Sequence, residues 1–258
     1  MPLYSLLSRL KGRYRRAAAV AFARRPIHMR NSEPLISFTF DDFPRSALSI
    51  AGRIMEDQGA FGTYYTSLGL MGQTTPTGEM FTRDELFDAL ERGHELGCHT
   101  FAHCDAAETP ADVFEESIME NQRSLNTLVT GAGFKTLSYP IGSPRPGTKK
   151  RSGRHFLGCR AGGQTYNVDS TDLNLLKAFF IEQSRDPSDE IRAMIDANSR
   201  AGGWLIFATH DVCENPTRYG CRPKLFGEIV RHSVQSGARI LPVSAALTAI
   251  GLKNLSLS

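Results

Sequence analysis

"SFTFDDFPRSA", residues 37–47, joins a β-branched and aromatic run to two adjacent aspartates, Asp41 and Asp42, and then to Phe43-Pro44. The hydrophobic part, which begins at Leu35 in "LISFTF", reads as a buried strand. Two neighbouring carboxylates repel each other, and each is costly to desolvate unless a cation or a hydrogen-bond donor meets it. Either the pair supplies negative charge to the start of the helix after Ser46, or something positive is held where the strand stops.

Outward from this stretch, strand-like and helix-like runs alternate. "SALSIAGRIMEDQG" has apolar residues at helical spacing and stops on Gly59, and "GTYYTS" is a second strand. "TRDELFDALERG" opens with Thr82 and Glu85 in capping-box spacing. "ELGCHT" is strand three. "TPADVFEESIMENQRSLNTLVTG" is a long helix with Pro110 at its start and Gly131 past its end, and "FKTLSYP" is strand four. Residues 141–176, rich in Gly, Pro and basic side chains, read as loops around a short strand, "FLGCRA". "KAFFIE", "WLIFATH" and "ARILPV" are further strands, separated by the helical stretches "SDEIRAMIDANSRAGG" and "KLFGEIVRHSVQSG". Seven or eight β-α units without a dinucleotide glycine fingerprint predict an α/β barrel rather than an open doubly wound sheet, and the irregular middle predicts a distorted one.

The totals agree. A chain of 258 residues, 41% hydrophobic and 22% charged, has the composition of an ordinary globular protein with ample core. The net charge of +3 gives no reason to expect a nucleic-acid partner. Much of the basic excess lies in "SRLKGRYRRAAAVAFARRP". Residues 1–30 are therefore expected to form a basic, helical N-terminal extension to a catalytic domain spanning 31–258. A solvated appendage is the plain reading of that extension; peripheral contact with anionic lipid or with another subunit is the sharper one. "AAAVAFA" is too short for a signal-peptide core and ends on Arg24-Arg25, and no run approaches membrane-spanning length. The five scattered cysteines, Cys98, Cys104, Cys159, Cys213 and Cys221, suit free thiols in a reducing compartment. The expected location is the cytoplasm.

The polar residues are informative by position. Asp41 and Asp42 follow strand one, His99 ends strand three with His103 four residues on, Tyr139-Pro140 ends strand four, and His210-Asp211 end "WLIFATHD". The C-terminal ends of parallel barrel strands share one rim, so these residues are expected to meet. Each alone has an ordinary explanation: charge at a helix start, surface histidines, a satisfied polar residue. Together, paired carboxylates, paired imidazoles and a further imidazole make a divalent-metal site with acid–base groups. His28, His94, His155 and His232 lack such company and read as structural or surface residues.

These residues resemble the polysaccharide deacetylase family, carbohydrate esterase family four, which includes chitin, peptidoglycan and nodulation-factor chitooligosaccharide deacetylases. "TFDD" is similar to the family's first motif, "HTFAH" to its second, "YPIG" to a variant third and "THD" to the fifth, over residues 33–250 or so. The resemblance implies a distorted (β/α)7 barrel. It also implies one divalent cation, zinc by preference, on Asp42, His99 and His103, with Asp41 as general base and His210 as general acid. The oxyanion donor would be the backbone N–H of Ile141, beside Tyr139, because Pro140 has none. The implied activity is removal of N-acetyl groups from an N-acetylglucosamine-containing oligo- or polysaccharide. A same-fold hydrolase of another amide or of O-acetyl esters, and a non-catalytic carbohydrate-binding protein, are the alternatives. The chain departs from the family pattern in three places. Phe43 stands where glycine is usual, and Ser138 where an arginine often orients the catalytic aspartate; Arg160 in "GCRAGG" is the candidate replacement. The fourth-motif aspartate has no clear match beyond Asp169 and Asp172, and Tyr166 and Asn167 either line a sugar subsite or pack the loop.

Overall fold

The computed structural model describes residues 3–184 and 187–252; the last six residues of the expected catalytic domain lie outside the described residues. Eight strands form one curled parallel sheet: β1 Leu35–Phe40, β2 Thr63–Thr66, β3 Glu95–Cys98, β4 Thr136–Ser138, β5 Gly158–Arg160, β6 Phe179–Phe180, β7 Trp204–Thr209 and β8 Arg239–Ile240. Their spatial order is β6-β7-β1-β2-β3-β4-β5. Seven strands thus follow chain order around a barrel that opens between β5 and β6. The short β8 pairs with Leu35 and Ile36 of β1, below the point where β2 takes over at Thr39. One bridge, Arg160 to Leu176, spans the opening, and the Ala161 N–H donates to the Leu176 carbonyl at 2.9 Å. The distorted barrel expected from the alternation is the observed fold.

All six residues of β1 and all six of β7 are buried, as required of parallel strands covered on both faces. Phe38 of β1 stacks on Phe207 of β7 with ring centroids 5.4 Å apart. The Trp204 indole N–H, buried, donates to Ser37 Oγ at 3.0 Å. Helices surround the sheet: α1 Leu3–Ala21, α2 Arg83–Glu91, α3 Ala111–Leu128, α4 Pro146–His155, α5 Pro187–Ala201, α6 Pro223–Gln235 and α7 Val243–Ala249. A further helix is π-wound over Ala47–Gly52 and α over Arg53–Glu56. At the start of α2, the Thr82 N–H donates to Glu85 Oε2 at 2.7 Å, the back half of the predicted capping box.

Two features depart from the sequence reading. Residues 146–155, read as loop, form α4; "PGTKKRSGRH" has no apolar stripe, so periodicity gives no signal. What stabilises it is polar: Pro146 at its first turn, and a fully buried Lys149 whose ammonium donates to the Ala19 and Phe22 carbonyls and to Asp172 Oδ2, at 2.6, 2.9 and 2.6 Å. The same lysine caps the C-terminal carbonyls of α1. Arg25 adds guanidinium hydrogen bonds to the carbonyls of Gly153, Phe156 and Leu157, and Pro26–His28 pairs antiparallel with Ser170–Asp172. The second half of the basic N-terminal segment therefore packs on the barrel body. No helix among the described residues is long and apolar enough to cross a membrane, and all five cysteines are free thiols.

Candidate metal and catalytic site

The strand ends deliver the side chains to one rim. Asp41 and Asp42 follow β1, His99 follows β3, Arg160 ends β5, Glu182 follows β6 and His210 follows β7. Asp41, Asp42, His103, Arg160, Glu182 and His210 line a single cleft of about 810 Å³. Residues far apart in sequence meet there, as the barrel topology requires.

At the floor, Asp42 Oδ1 lies 3.1 Å from His103 Nε2 and 3.5 Å from His99 Nε2, and one ligand atom from each residue falls within 4.8 Å of the others. Ligands about 2.0–2.2 Å from a tetrahedral zinc sit about 3.3–3.6 Å apart, so the spacing fits one small dication. Two further observations fit it. Asp42 Oδ1 is buried without a hydrogen-bond partner among the described residues, an arrangement that costs free energy unless a cation meets it. His99 Nδ1 lies 2.8 Å from the Ser138 carbonyl, which can only accept, so the proton is on Nδ1 and the Nε2 lone pair is free for a ligand. Burial pushes the His99 pKa down to about 4, keeping the imidazole neutral. Asp42 is held well below the usual carboxylate range: burial would raise it, but the close imidazoles of His103, His99 and His210 outweigh that effect.

Asp41 faces a different partner. It is buried, and Arg160, only 1% exposed, donates from Nη2 to both Asp41 Oδ1 and Ser138 Oγ. The guanidinium lies over the rings of Tyr65 and Phe180, 5.2 and 5.3 Å from their centroids. Burial raises the Asp41 pKa, and the charge and hydrogen bond of Arg160, helped by the neighbouring His99 and His210 rings, reverse the shift, so the group stays ionised. Arg160 thus reaches the aspartate from β5, and Ser138, where the related motif often has arginine, accepts from it. Breaking a buried ion pair leaves an uncompensated charge, so Arg160→Met is expected to destabilise the fold by about 3–5 kcal/mol in urea unfolding. It should also lower activity; a variant with unchanged stability and activity would remove Arg160 from the site.

His210 lines the cleft with Nδ1 3.1 Å from the Tyr219 carbonyl. A carbonyl only accepts, so Nδ1 carries the proton and Nε2 is left for the cleft. Here a backbone oxygen, not a carboxylate, fixes the tautomer. Asp169 and Asp172 do not serve as that partner: Asp172 is engaged by Lys149 and by the Arg25 N–H, and Asp169 is exposed in the turn before Ser170. Asn167 packs the loop, accepting from Thr171 and donating to the Lys177 carbonyl. Tyr139 lines the cleft, but its hydroxyl donates to the Asn174 carbonyl at 3.2 Å, so it offers no free hydroxyl.

Strain is concentrated here. Asp42, Phe43, His103 and Ile141 have φ of 63°, 58°, 50° and 63°, a left-handed conformation that costs non-glycine residues roughly 1–3 kcal/mol each. Phe43 accounts for the missing glycine: the backbone keeps the glycine-like conformation, and the ring is fully buried against Tyr64 and Phe81. Ile141 projects a 73% exposed side chain at the cleft mouth. Three cleft residues had no signal in the sequence. Thr77 Oγ1 donates to Asp42 Oδ2 at 2.9 Å, and Tyr219 supplies the carbonyl to His210; both come from loops. Glu182 has a buried Oε2 without a partner among the described residues, and burial pushes its pKa up to about 8.

The model of the polysaccharide deacetylase family matches residues 28–158, a span containing Asp41, Asp42, His99 and His103. The chain belongs to the polysaccharide deacetylase family. Solved structures of similar fold include a deacetylase with substrate, 17% identical with a TM-score of 0.59, covering 86% of this chain and 94% of its own. The Xyl-CE4 domain of a multidomain xylanase from the hindgut metagenome of Trinervitermes trinervoides is also 17% identical, with a TM-score of 0.59 and coverages of 86% and 93%. A family 4 acetyl xylan esterase from Clostridium thermocellum, solved with a cobalt ion, is 18% identical with a TM-score of 0.55 and coverages of 83% and 90%. At such identities the likeness is one of fold. No curated protein matches the chain. Within the deacetylase family, the departures at Phe43, Ser138 and the fourth motif have the local compensations described above.

Proposed function

We propose that this deacetylase removes N-acetyl groups from an oligo- or polysaccharide containing N-acetylglucosamine, chitooligosaccharide-like in its reacting unit. The observation that carries the reading is the division of labour in the aspartate doublet. Asp42 turns to two imidazoles, whereas Asp41 turns to a guanidinium and keeps an ionised carboxylate on the cleft. Asp42, His99 and His103 would hold one divalent cation, zinc by preference, because the donor set is two imidazoles and one carboxylate. When bound, the cation supplies positive charge that polarises the acetyl carbonyl and acidifies water.

The remaining work falls to the chain's own groups. Asp41, oriented through Oδ1 by Arg160, accepts the proton of the attacking water. The Ile141 N–H, which donates to nothing else among the described residues, faces the developing oxyanion at the mouth of the cleft. His210, protonated on both nitrogens, donates from Nε2 to the leaving nitrogen while the Tyr219 carbonyl holds Nδ1–H. Acetate and a free amine result.

Purified protein should contain about one divalent ion per chain. Chelation should stop acetate release from acetylated chitooligosaccharides, and added zinc should restore it. Acetate release unaffected by chelation, or none from any N-acetylated glycan in a metal-loaded sample, would end the reading. An O-acetylated xylan in the same panel separates ester from amide cleavage.

A further inference from the structure

The cleft does not end at the metal site. Arg16, Ser143, Ala161 and Gly162 line both the catalytic cleft and a second groove of about 450 Å³ that continues from it. One wall of this groove is α1: Arg16 lies one helical turn before Ala19 and Val20, and Arg24 follows. The other wall is the segment after β5, with Lys177 and the hydroxyls of Thr165 and Ser170. Gly162 and Gly163 form part of the floor.

Charge distinguishes the groove. Arg16, Arg24 and Lys177 are exposed, and none has an ion pair or a side-chain hydrogen bond among the described residues. The one acid lining the groove, Asp172, is engaged by the buried Lys149 and by the N–H groups of Arg25 and Asn174. Three cations therefore line a channel, otherwise largely apolar, that opens into the reaction cleft and contains no free carboxylate. Cations without local partners in a concave site attract anionic ligands and raise their local concentration. A neutral chitooligosaccharide could take hydrogen bonds from them but no charge pairing.

We infer that this groove is an anion-accepting subsite, and that the substrate carries a phosphate or carboxylate group on the part of the chain next to the unit being deacetylated. Arg16, Arg24 and Lys177 bind that group. The inference rests on the proposed deacetylation only for which unit sits in the cleft. It also gives α1 a role: Lys149 and Arg25 clamp the helix to the barrel so that its arginines face the substrate path. The arginine guanidinium suits bidentate contact with either anion.

The test is direct binding to the metal-loaded, full-length chain by calorimetry, at about 50 mM and 500 mM salt, where screening differs strongly. Three probes are compared: neutral tetra-N-acetylchitotetraose, a tetrasaccharide alternating glucuronate with N-acetylglucosamine, and chitobiose linked to a diphosphate. At low salt at least one anionic probe should bind about tenfold or more tighter than the neutral one, the size expected of three solvent-exposed pairs acting together, and high salt should erase most of the gap. Which anion wins identifies the carboxylate or phosphate source. In the Arg16→Gln/Arg24→Gln/Lys177→Gln variant, all three positions being exposed, the difference between the anionic and the neutral probes should vanish. Equal binding of all probes by the unmodified protein, or a preference that survives in the triple variant, overturns the inference. Anion binding that depends on the three cations, in a protein releasing no acetate from any glycan, would leave the subsite standing and remove the deacetylase reading alone.

Discussion

Asp41→Asn is expected to lower acetate release by about 10²–10⁴-fold, the range for removing a positioned general base, while the protein keeps about one metal ion per chain. The substitution is nearly isosteric. An asparagine oxygen still accepts from Arg160, so the guanidinium stays bonded and the β5 end of the rim should remain in place. What is lost is the ability to take a proton. The readouts are acetate release at saturating substrate, metal content by emission spectroscopy, and a urea midpoint to confirm folding. Normal turnover would transfer the proton-accepting role elsewhere; Glu182, the remaining carboxyl on the cleft outside the doublet, would be the first candidate. Loss of metal together with activity would mean that Asp41, too, is a ligand.

Much of this site is legible in the sequence because its residues punctuate strands. "LISFTF", "ELGC" and "WLIFAT" are apolar runs that end abruptly on Asp, His and His, and a parallel barrel turns those three endings into neighbours. Arg160 is readable on the same logic, since "GCR" ends a strand that the topology places beside β4. Other contributions depend on tertiary placement. Thr77 reaches Asp42 from a turn between the two-residue strands Thr74–Thr75 and Gly78–Glu79, and nothing local marks that turn as lying over the rim. Tyr219 acts through its carbonyl, so its side-chain identity carries no signal. Helix α4 is invisible to periodicity because a buried lysine, not an apolar stripe, fixes it. That lysine also determines where α1 lies: the basic segment looks separable in the sequence, yet from Ala18 onward it packs on residues more than a hundred positions away.

Asp42→Ala should have the opposite metal readout from its neighbour: metal content falls well below one ion per chain, and acetate release drops to background. Losing an outer-shell partner of a metal ligand typically costs about 10–100-fold in affinity or activity, and removing a ligand itself should cost more. The structure gives the reason. Asp42 supplies the single negative charge in the set, and its Oδ1 is the atom to which both imidazoles converge, at 3.1 and 3.5 Å. Without it, two neutral nitrogens must hold a dication in a mostly buried site, where desolvating the ion is expensive. Chelation of the unmodified protein should reproduce the activity loss reversibly, whereas added zinc should not rescue the variant. Two adjacent aspartates with separate fates, one variant losing the metal and the other losing only turnover, are the outcome that the φ of 63° at Asp42 makes geometrically reasonable. A left-handed residue at the strand's end re-aims the second carboxylate, so the doublet faces two partners instead of repelling over one. Should both variants bind metal equally well, the convergence on Asp42 Oδ1 would be an ordinary aspartate–histidine cluster, and the hydrolytic mechanism would lose its foundation.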